Sequence, residues 1–344
     1  MSDDAPRAAL ARRPLGRSGL EVTALGFGSA PLGDLYAPLD DATAIAAVDA
    51  AAAGGVTLFD TAPLYGRGLA EHRLGTALRR RPRESFVLST KVGRVLAPAP
   101  QGVRRREGYV GGLPFEARFD YGRDGALRSL EQSLLRLGLA SIDVALIHDI
   151  DPWTHGEGYD ARFREAVGGA YRALHELREQ KVVRAIGIGV NDAAVCARMV
   201  RETDIDCVML AGRYTLLEQG ALDDFLPLAA QRGIGVLLGG VFNSGILATG
   251  AQSGAHYNYR AAPPEVLARV ARIDAVCRSH GVALPHAAIR FPLAHPAVPS
   301  VVLGAVTPDE VTRNLAAFDA PIPAALWRDL AAEGLLRKDA PVPR

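Results

Sequence analysis

Three polar side chains in the first half of the chain end apolar runs, and a fourth follows closely behind one. Asp60 closes Val56-Thr-Leu-Phe-Asp60, Lys91 closes Phe86-Val-Leu-Ser-Thr-Lys91, and His148 closes Ile142-Asp-Val-Ala-Leu-Ile-His148, while Tyr65 comes five residues after Asp60. Taken singly, each has an ordinary reading: a helix cap, a packed phenol, a satisfied core histidine. Taken together they suit proton transfer. Of 39 basic residues only Lys91, Lys181 and Lys338 are lysines, so a lysine at a strand end marks a place where arginine would not serve. An ammonium can be desolvated and paired with one carboxylate, whereas a guanidinium is planar and diffuse. Asp60 is the carboxylate to hold it. Lys91 beside Tyr65 would draw the phenol from its usual ~10 toward neutrality and make it a usable acid or base, with His148 donating a hydrogen bond to the substrate oxygen. An aldolase or isomerase using Lys91 as a Schiff base is a different reading, under which Tyr65→Phe would leave activity largely intact.

Such side chains work only if strand ends converge. Apolar runs recur at Val22–Gly28, Val56–Asp60, Phe86–Lys91, Ile142–His148, Val182–Val190, Cys207–Ala211, Ile234–Gly239 and Val301–Gly304. Between them lie segments of helical spacing over 40–53, 69–80, 125–137, 159–180, 193–202, 220–231, 264–279, 285–293 and 308–315. Strands apolar on both faces and separated by helices imply a parallel sheet covered by helices. The number and spacing of these units predict an α/β fold of the (β/α)8 TIM-barrel class with strand ends sharing one mouth, entered by an N-terminal β-hairpin. An open doubly wound sheet would carry G-x-G-x-x-G after its first strand, and neither Gly26-Phe-Gly28 nor Gly187-Ile-Gly189 completes that pattern. No P-loop sequence occurs. Long connections follow the third strand (92–121) and the seventh (240–263), on the ligand-binding face. The expected division is a leader over 1–12, one barrel domain over 13–335 and a tail over 336–344.

Composition narrows the partners. With 39 Lys and Arg against 38 Asp and Glu the net charge is +1, so no general field draws nucleic acid or anionic membrane. Cys196, Cys207 and Cys277 lack metal-site or disulfide spacing, so no metal is expected and the reducing cytoplasm is the expected compartment. No apolar run reaches the ~18 residues of a membrane span. The expected partner is a small molecule, bound by a monomer or homodimer.

From about Leu15 to Leu330 the sequence resembles the aldo-keto reductases. The resemblance rests on Leu15-Gly-Arg-Ser-Gly-Leu-Glu-Val22, Phe59-Asp-Thr-Ala-Pro-Leu-Tyr-Gly66 with Glu71 and Leu74-Gly75, Ser89-Thr-Lys91, and Leu137-Gly-Leu with Asp143 before His148. It implies a catalytic tetrad of Asp60, Tyr65, Lys91 and His148, and a dinucleotide lying across the barrel mouth without a glycine fingerprint. Position by position it implies that Gly28, Ser29 and Ala30 underlie the nicotinamide, that Asp60 also touches the cofactor and that Asn191 holds its carboxamide. Val241, Phe242, Asn243, Ser244, Gly245 and Leu247 would cover the pyrophosphate, and Gly304, Ala305, Thr307, Glu310 and Asn314 would flank the adenosine ribose. Gly239 stands where the family usually stacks an aromatic residue, with Phe242 a candidate replacement. Ala211 stands where many members have Gln. Gly304 and Glu310 replace the Lys and Arg that grip a 2′-phosphate, which predicts NAD, with NADP the alternative. Leu146–Asp151, Gly239–Leu247 and Tyr257-Asn-Tyr259 look like the members that oxidise a cyclic hemiacetal to a lactone. The implied substrate is an aldose of the L-fucose or D-threo-aldose type; pyridoxal oxidation and general NADP-dependent carbonyl reduction are the alternatives. Tyr36, Tyr65, His148, Trp153 and Asn243 are the candidate substrate contacts.

Overall fold

A computed structural model describes residues 8–99 and 108–343. The expected strands form one closed parallel barrel: Leu25–Gly28, Leu58–Asp60, Val87–Val92, Val144–His148, Ala185–Val190, Cys207–Ala211, Gly235–Gly239 and Ser300–Gly304, numbered below as strands one to eight. Each strand pairs with the next in sequence, and strand eight closes on strand one through Val301↔Leu25 and Gly304↔Gly28. The antiparallel hairpin Arg12–Pro14 with Glu21–Thr23 enters from the opposite end.

The two-residue alternation of a strand divides the apolar residues into two cores. Leu58, Val87, Val144, Leu146, Cys207, Met209, Leu237 and Val302 fill the interior, where Leu15, Leu20 and Val22 of the hairpin region join them. Their neighbours Phe59, Leu88, Ala145, Ile147, Val208 and Leu238 face outward into a larger core beneath the helices. A barrel interior packed this way is closed to solute along its axis, so chemistry is confined to the strand ends.

Helices mostly occupy the expected segments, and Ala193–Glu202 and Pro264–Ser279 match them in full. The segment expected as one helix over 159–180 is two, Tyr159–Gly168 and Ala170–Glu179. Gly169 breaks it because the backbone there packs on another segment: a Cβ at Gly169 would lie 2.6 Å from the Tyr121 carbonyl, which instead accepts from Ala170 N–H at 2.8 Å. A helix over Ala324–Ala332, unannounced by the sequence reading, begins directly after Pro323.

Both long connections carry structure. In the first, Arg94–Pro98 pairs antiparallel with Phe115–Phe119, and Leu35 bridges to Tyr109; residues 100–107 lie outside the described chain. In the second, the helical turn Ile246–Thr249 precedes a small hairpin of His256–Tyr257 with Arg260–Ala261.

Candidate active site

Alternation also decides which polar side chains reach the axis. Leu58 and Asp60, then Val87, Ser89 and Lys91, then Val144, Leu146 and His148 face inward on strands two, three and four. Thr90 points outward, and its hydroxyl donates to Glu71 at 3.1 Å. The inward positions end at the mouth, where Lys91 Nζ lies 2.7 Å from Asp60 Oδ2 and donates to the Thr61 carbonyl at 2.9 Å. Both side chains of this pair are at most 3% exposed.

Tyr65 arrives on the short turn Tyr65–Gly68. A Cβ at Gly66 (φ 60°) would lie 2.6 Å from the Gly33 carbonyl, so only glycine allows the two segments to meet there. Arg67 pins the turn by donating to the carbonyls of Leu113 (2.9 Å) and Gly111 (2.6 Å) in the long connection after strand three. The Tyr65 ring stands 5.1 Å from Lys91 Nζ and meets the His148 ring edge-on, centroids 6.0 Å apart. Asp60, Tyr65, Lys91 and His148 therefore share one site.

The electrostatics correct one expectation. The Tyr65 phenol is held well above its ordinary value, first by burial and then by the negative charge of Asp60, with Asp149 adding to it. Burial and these negative charges outweigh the Lys91 ammonium, which is itself bound by Asp60 and the Thr61 carbonyl. Burial likewise raises the Asp60 carboxyl despite the neighbouring Lys91 charge. It holds the His148 imidazole well below its usual range, helped by Arg94 and Lys91. The site accordingly presents a neutral phenol and a neutral imidazole near pH 7.

The other side of the mouth is bare. Strands one, five, six, seven and eight bring Gly28, Gly189, Ala211, Gly239 and Gly304 to the same rim, leaving a shelf that larger side chains would fill. Asn191 borders it: Arg213 Nε donates to the Asn191 carbonyl at 2.9 Å, Asp151 accepts from its backbone N–H, and its side chain meets the Tyr259 hydroxyl. Ala30 lines the adjoining cavity, and Ser29 N–H donates to the Asp60 carbonyl at 2.9 Å.

Farther out, the expected pyrophosphate loop is already internally bonded. The N–H groups of Asn243 and Gly245 donate to the carbonyls of Gly240 and Phe242, and that of Leu247 also to Phe242; Val241 and Leu247 are buried. Phe242 is half-buried and packs against the outer core. Tyr259 is the aromatic residue that reaches the cavity beside Asn191. Asn243 turns inward, its amide spent on the Thr215 hydroxyl (2.6 Å) and the Gly212 carbonyl (3.1 Å), so its side chain braces the loop instead of facing a substrate. After strand eight, Thr307 caps the helix Pro308–Asp319 by accepting from Glu310 N–H, and Glu310 accepts in turn from Val306 N–H at 2.8 Å. Ala305 is buried and Asn314 lies in that helix, half-buried. A Cβ at Gly304 would lie 2.6 Å from Pro31 Cγ, so a longer side chain has no room there.

A cavity of about 490 Å³ opens over the Tyr65, Lys91 and His148 side chains. Trp153 lines it, as expected, beneath the Arg260 guanidinium at 5.5 Å. Tyr36 instead lies beside the opening, its ring 6.5 Å from that of His256. Arg94, Tyr109, Phe119, Asp149 and Tyr259 also line the cavity, and the sequence reading assigned none of them. Asp149 carried a signal, as a charged residue directly after a strand-end histidine, and Tyr259 lay in the Tyr257-Asn-Tyr259 segment that carried the resemblance.

Comparisons with known proteins identify relatives of this chain. The sequence model of the aldo/keto reductase family matches residues 24–332. Pyridoxal 4-dehydrogenase from Microbacterium luteolum is 43% identical, with 94% of this chain and 98% of that protein covered. D-threo-aldose 1-dehydrogenase from a Pseudomonas species is 41% identical, covering 98% and 99%. Among solved structures, an aldo-keto reductase of Bacillus halodurans in its holo form superimposes with a TM-score of 0.73 at 26% identity, covering 97% of this chain and 98% of that one.

Proposed function

The chain belongs to the aldo/keto reductase family and is an oxidoreductase using a nicotinamide dinucleotide; within that family we propose that it oxidises the C1 hydroxyl of an aldose hemiacetal, of the L-fucose or D-threo-aldose type, to the lactone with NAD. The observation that carries this reading is the meeting of Tyr65, Lys91, Asp60 and His148 beside a glycine-lined shelf. The shelf with Asn191 would hold the nicotinamide, which supplies the two-electron hydride acceptor when bound. Tyr65 Oη, in its phenolate form, would take the anomeric hydroxyl proton as hydride leaves C1 for the acceptor and the C1–O double bond forms, and His148, neutral, would orient that oxygen. Lys91, fixed by Asp60, provides the compact positive charge that favours the phenolate when it forms.

The preference for NAD rests on the region after strand eight. It is supported by Pro31, which crowds any side chain at Gly304, and by Glu310, an anion at the position the resemblance gives to a phosphate-gripping Arg. A free ribose 2′-OH, by contrast, can donate to that carboxylate. Three buried free thiols are consistent with work in a reducing cytoplasm.

Pyridoxal is a second reading, favoured by the aromatic wall of Tyr65, Tyr109, Phe119 and Trp153 and by the relative that bears that activity's name. It requires the same chemistry, since its hemiacetal is also oxidised to a lactone. Initial rates with NAD and NADP against L-fucose, D-arabinose, L-galactose and pyridoxal separate the readings. An aldose with NAD should prevail; a tenfold preference for NADP, about 1.4 kcal/mol, would overturn the cofactor reading.

A further inference from the structure

Asp149 follows His148 directly, with φ 53° in the left-handed region that non-glycine residues seldom enter. Several contacts hold it there. Its N–H donates to the Gly189 carbonyl at 2.9 Å. The buried Tyr121 hydroxyl lies 2.8 Å from the His148 carbonyl, 3.2 Å from that of Asp149 and 2.9 Å from His155 Nε2. The consequence is a side chain turned back toward the mouth instead of outward to solvent. Asp149 Oδ2 meets Arg94 Nη2 at 2.8 Å, and the guanidinium lies over the Phe119 ring at 4.5 Å. Asp149 Oδ1 is 3.6 Å from His148 Nε2, beyond a hydrogen bond, and the carboxylate is 18% exposed in a position lining the cavity.

We propose that Asp149 is a specificity-determining residue that accepts hydrogen bonds from substrate ring hydroxyls beyond the reacting carbon, with Arg94 and Tyr121 as its positioning residues. The inference rests on the aldose reading above and names what that reading leaves open, the groups that recognise the rest of the sugar. A carboxylate only accepts hydrogen bonds, and ring hydroxyls are the donors an aldose offers. Lys91 and Arg94, the buried cations of the cavity, each have a carboxylate within 2.8 Å. Both are committed to those carboxylates, and the third cation of the lining, Arg260, is exposed and lies over the Trp153 ring. Tyr109, Phe119 and Trp153 offer apolar faces to the C–H side of such a ring.

The test crosses one substitution with a deoxy-sugar series. Asn tolerates the left-handed backbone about as well as Asp, so Asp149→Asn keeps the shape and removes the charge. In the natural enzyme, deleting one particular ring hydroxyl should lower kcat/KM by about tenfold or more, the loss expected for a hydrogen bond to a charged group. In the variant the parent aldose should lose a similar factor, mainly through KM, and the same deletion should then cost little. Quenching of intrinsic fluorescence by NAD checks that the variant is folded. Arg94→Lys, which keeps the carboxylate but loses the fixed fork, should fall between. Parallel losses for parent and every deoxy analogue would overturn the inference while leaving aldose oxidation standing, as would a wild-type enzyme indifferent to every ring hydroxyl. Failure of the wild-type enzyme to oxidise any aldose would overturn the underlying reading, and this inference with it.

Discussion

Tyr65 sets how each direction of the reaction depends on pH. Burial and the charges of Asp60 and Asp149 keep its phenol protonated far into the alkaline range, so the acid form prevails at neutral pH and the base form is scarce. The base form grows about tenfold per pH unit below the phenol's raised value. Oxidation, which needs the base, should therefore accelerate from about pH 7 to 9 with a log slope near one. Carbonyl reduction, which needs the acid, should be flat over that range. His148 is held well below its usual value, so its protonation should add no step between about pH 6.5 and 8. Profiles of kcat/KM in both directions check this; an oxidation rate levelling off near pH 7 would contradict it. Tyr65→Phe should cut turnover by roughly 10²–10⁴-fold, the usual worth of a positioned acid or base, with NAD affinity retained by fluorescence titration. Asp60, Lys91 and His148 were legible from the sequence because each ends an apolar run. The phenol's shift was not, because it sums burial with charges from residues far apart in the chain.

Strand five shows how an element can mislead and then explain itself. Gly187-Ile-Gly189 has the appearance of a dinucleotide-binding glycine pair, yet Gly187 serves strand packing while Gly189 leaves room at the mouth beside Lys91. A Cβ at Gly187 would lie 1.8 Å from the Cys207 carbonyl on strand six, and one at Gly189 would lie 3.2 Å from Lys91 Cε. The two substitutions should separate. Gly187→Ala must push strands five and six apart and should cost stability by about 3 kcal/mol or more in denaturant titration. Gly189→Ala meets only a flexible methylene and should fold, but it shifts the ammonium relative to Asp60 and should lower kcat by more than it lowers stability. Equal stability losses in both would contradict this account. The break at Gly169 was hidden for a related reason, since helical periodicity continues through it and only the approach of the Tyr121 backbone rules out one continuous helix.

At the scale of the whole molecule, barrel closure brings residues from positions 28 to 304 to one rim, half polar and half bare. A dinucleotide lying across that rim joins many elements at once, so binding should stabilise the folded state as a unit. At about 100 times its Kd, NAD should add about 2.7 kcal/mol, read as a rise in Tm. NADP at the same concentration should raise Tm less, given Glu310 and the blocked position at Gly304, and an equal or larger rise would contradict the NAD preference. The strand alternation, the barrel class and the polar strand ends were written in the sequence, because a period of two and an apolar run are local properties that need no partner. The arrival of Arg94, Asp149 and Tyr259 at the cavity, the inward turn of Asn243 and the raised phenol of Tyr65 were decided only by the tertiary structure. Desolvation and side-chain contacts depend on what packs against a residue, and closure of the barrel supplies those neighbours from the opposite end of the chain.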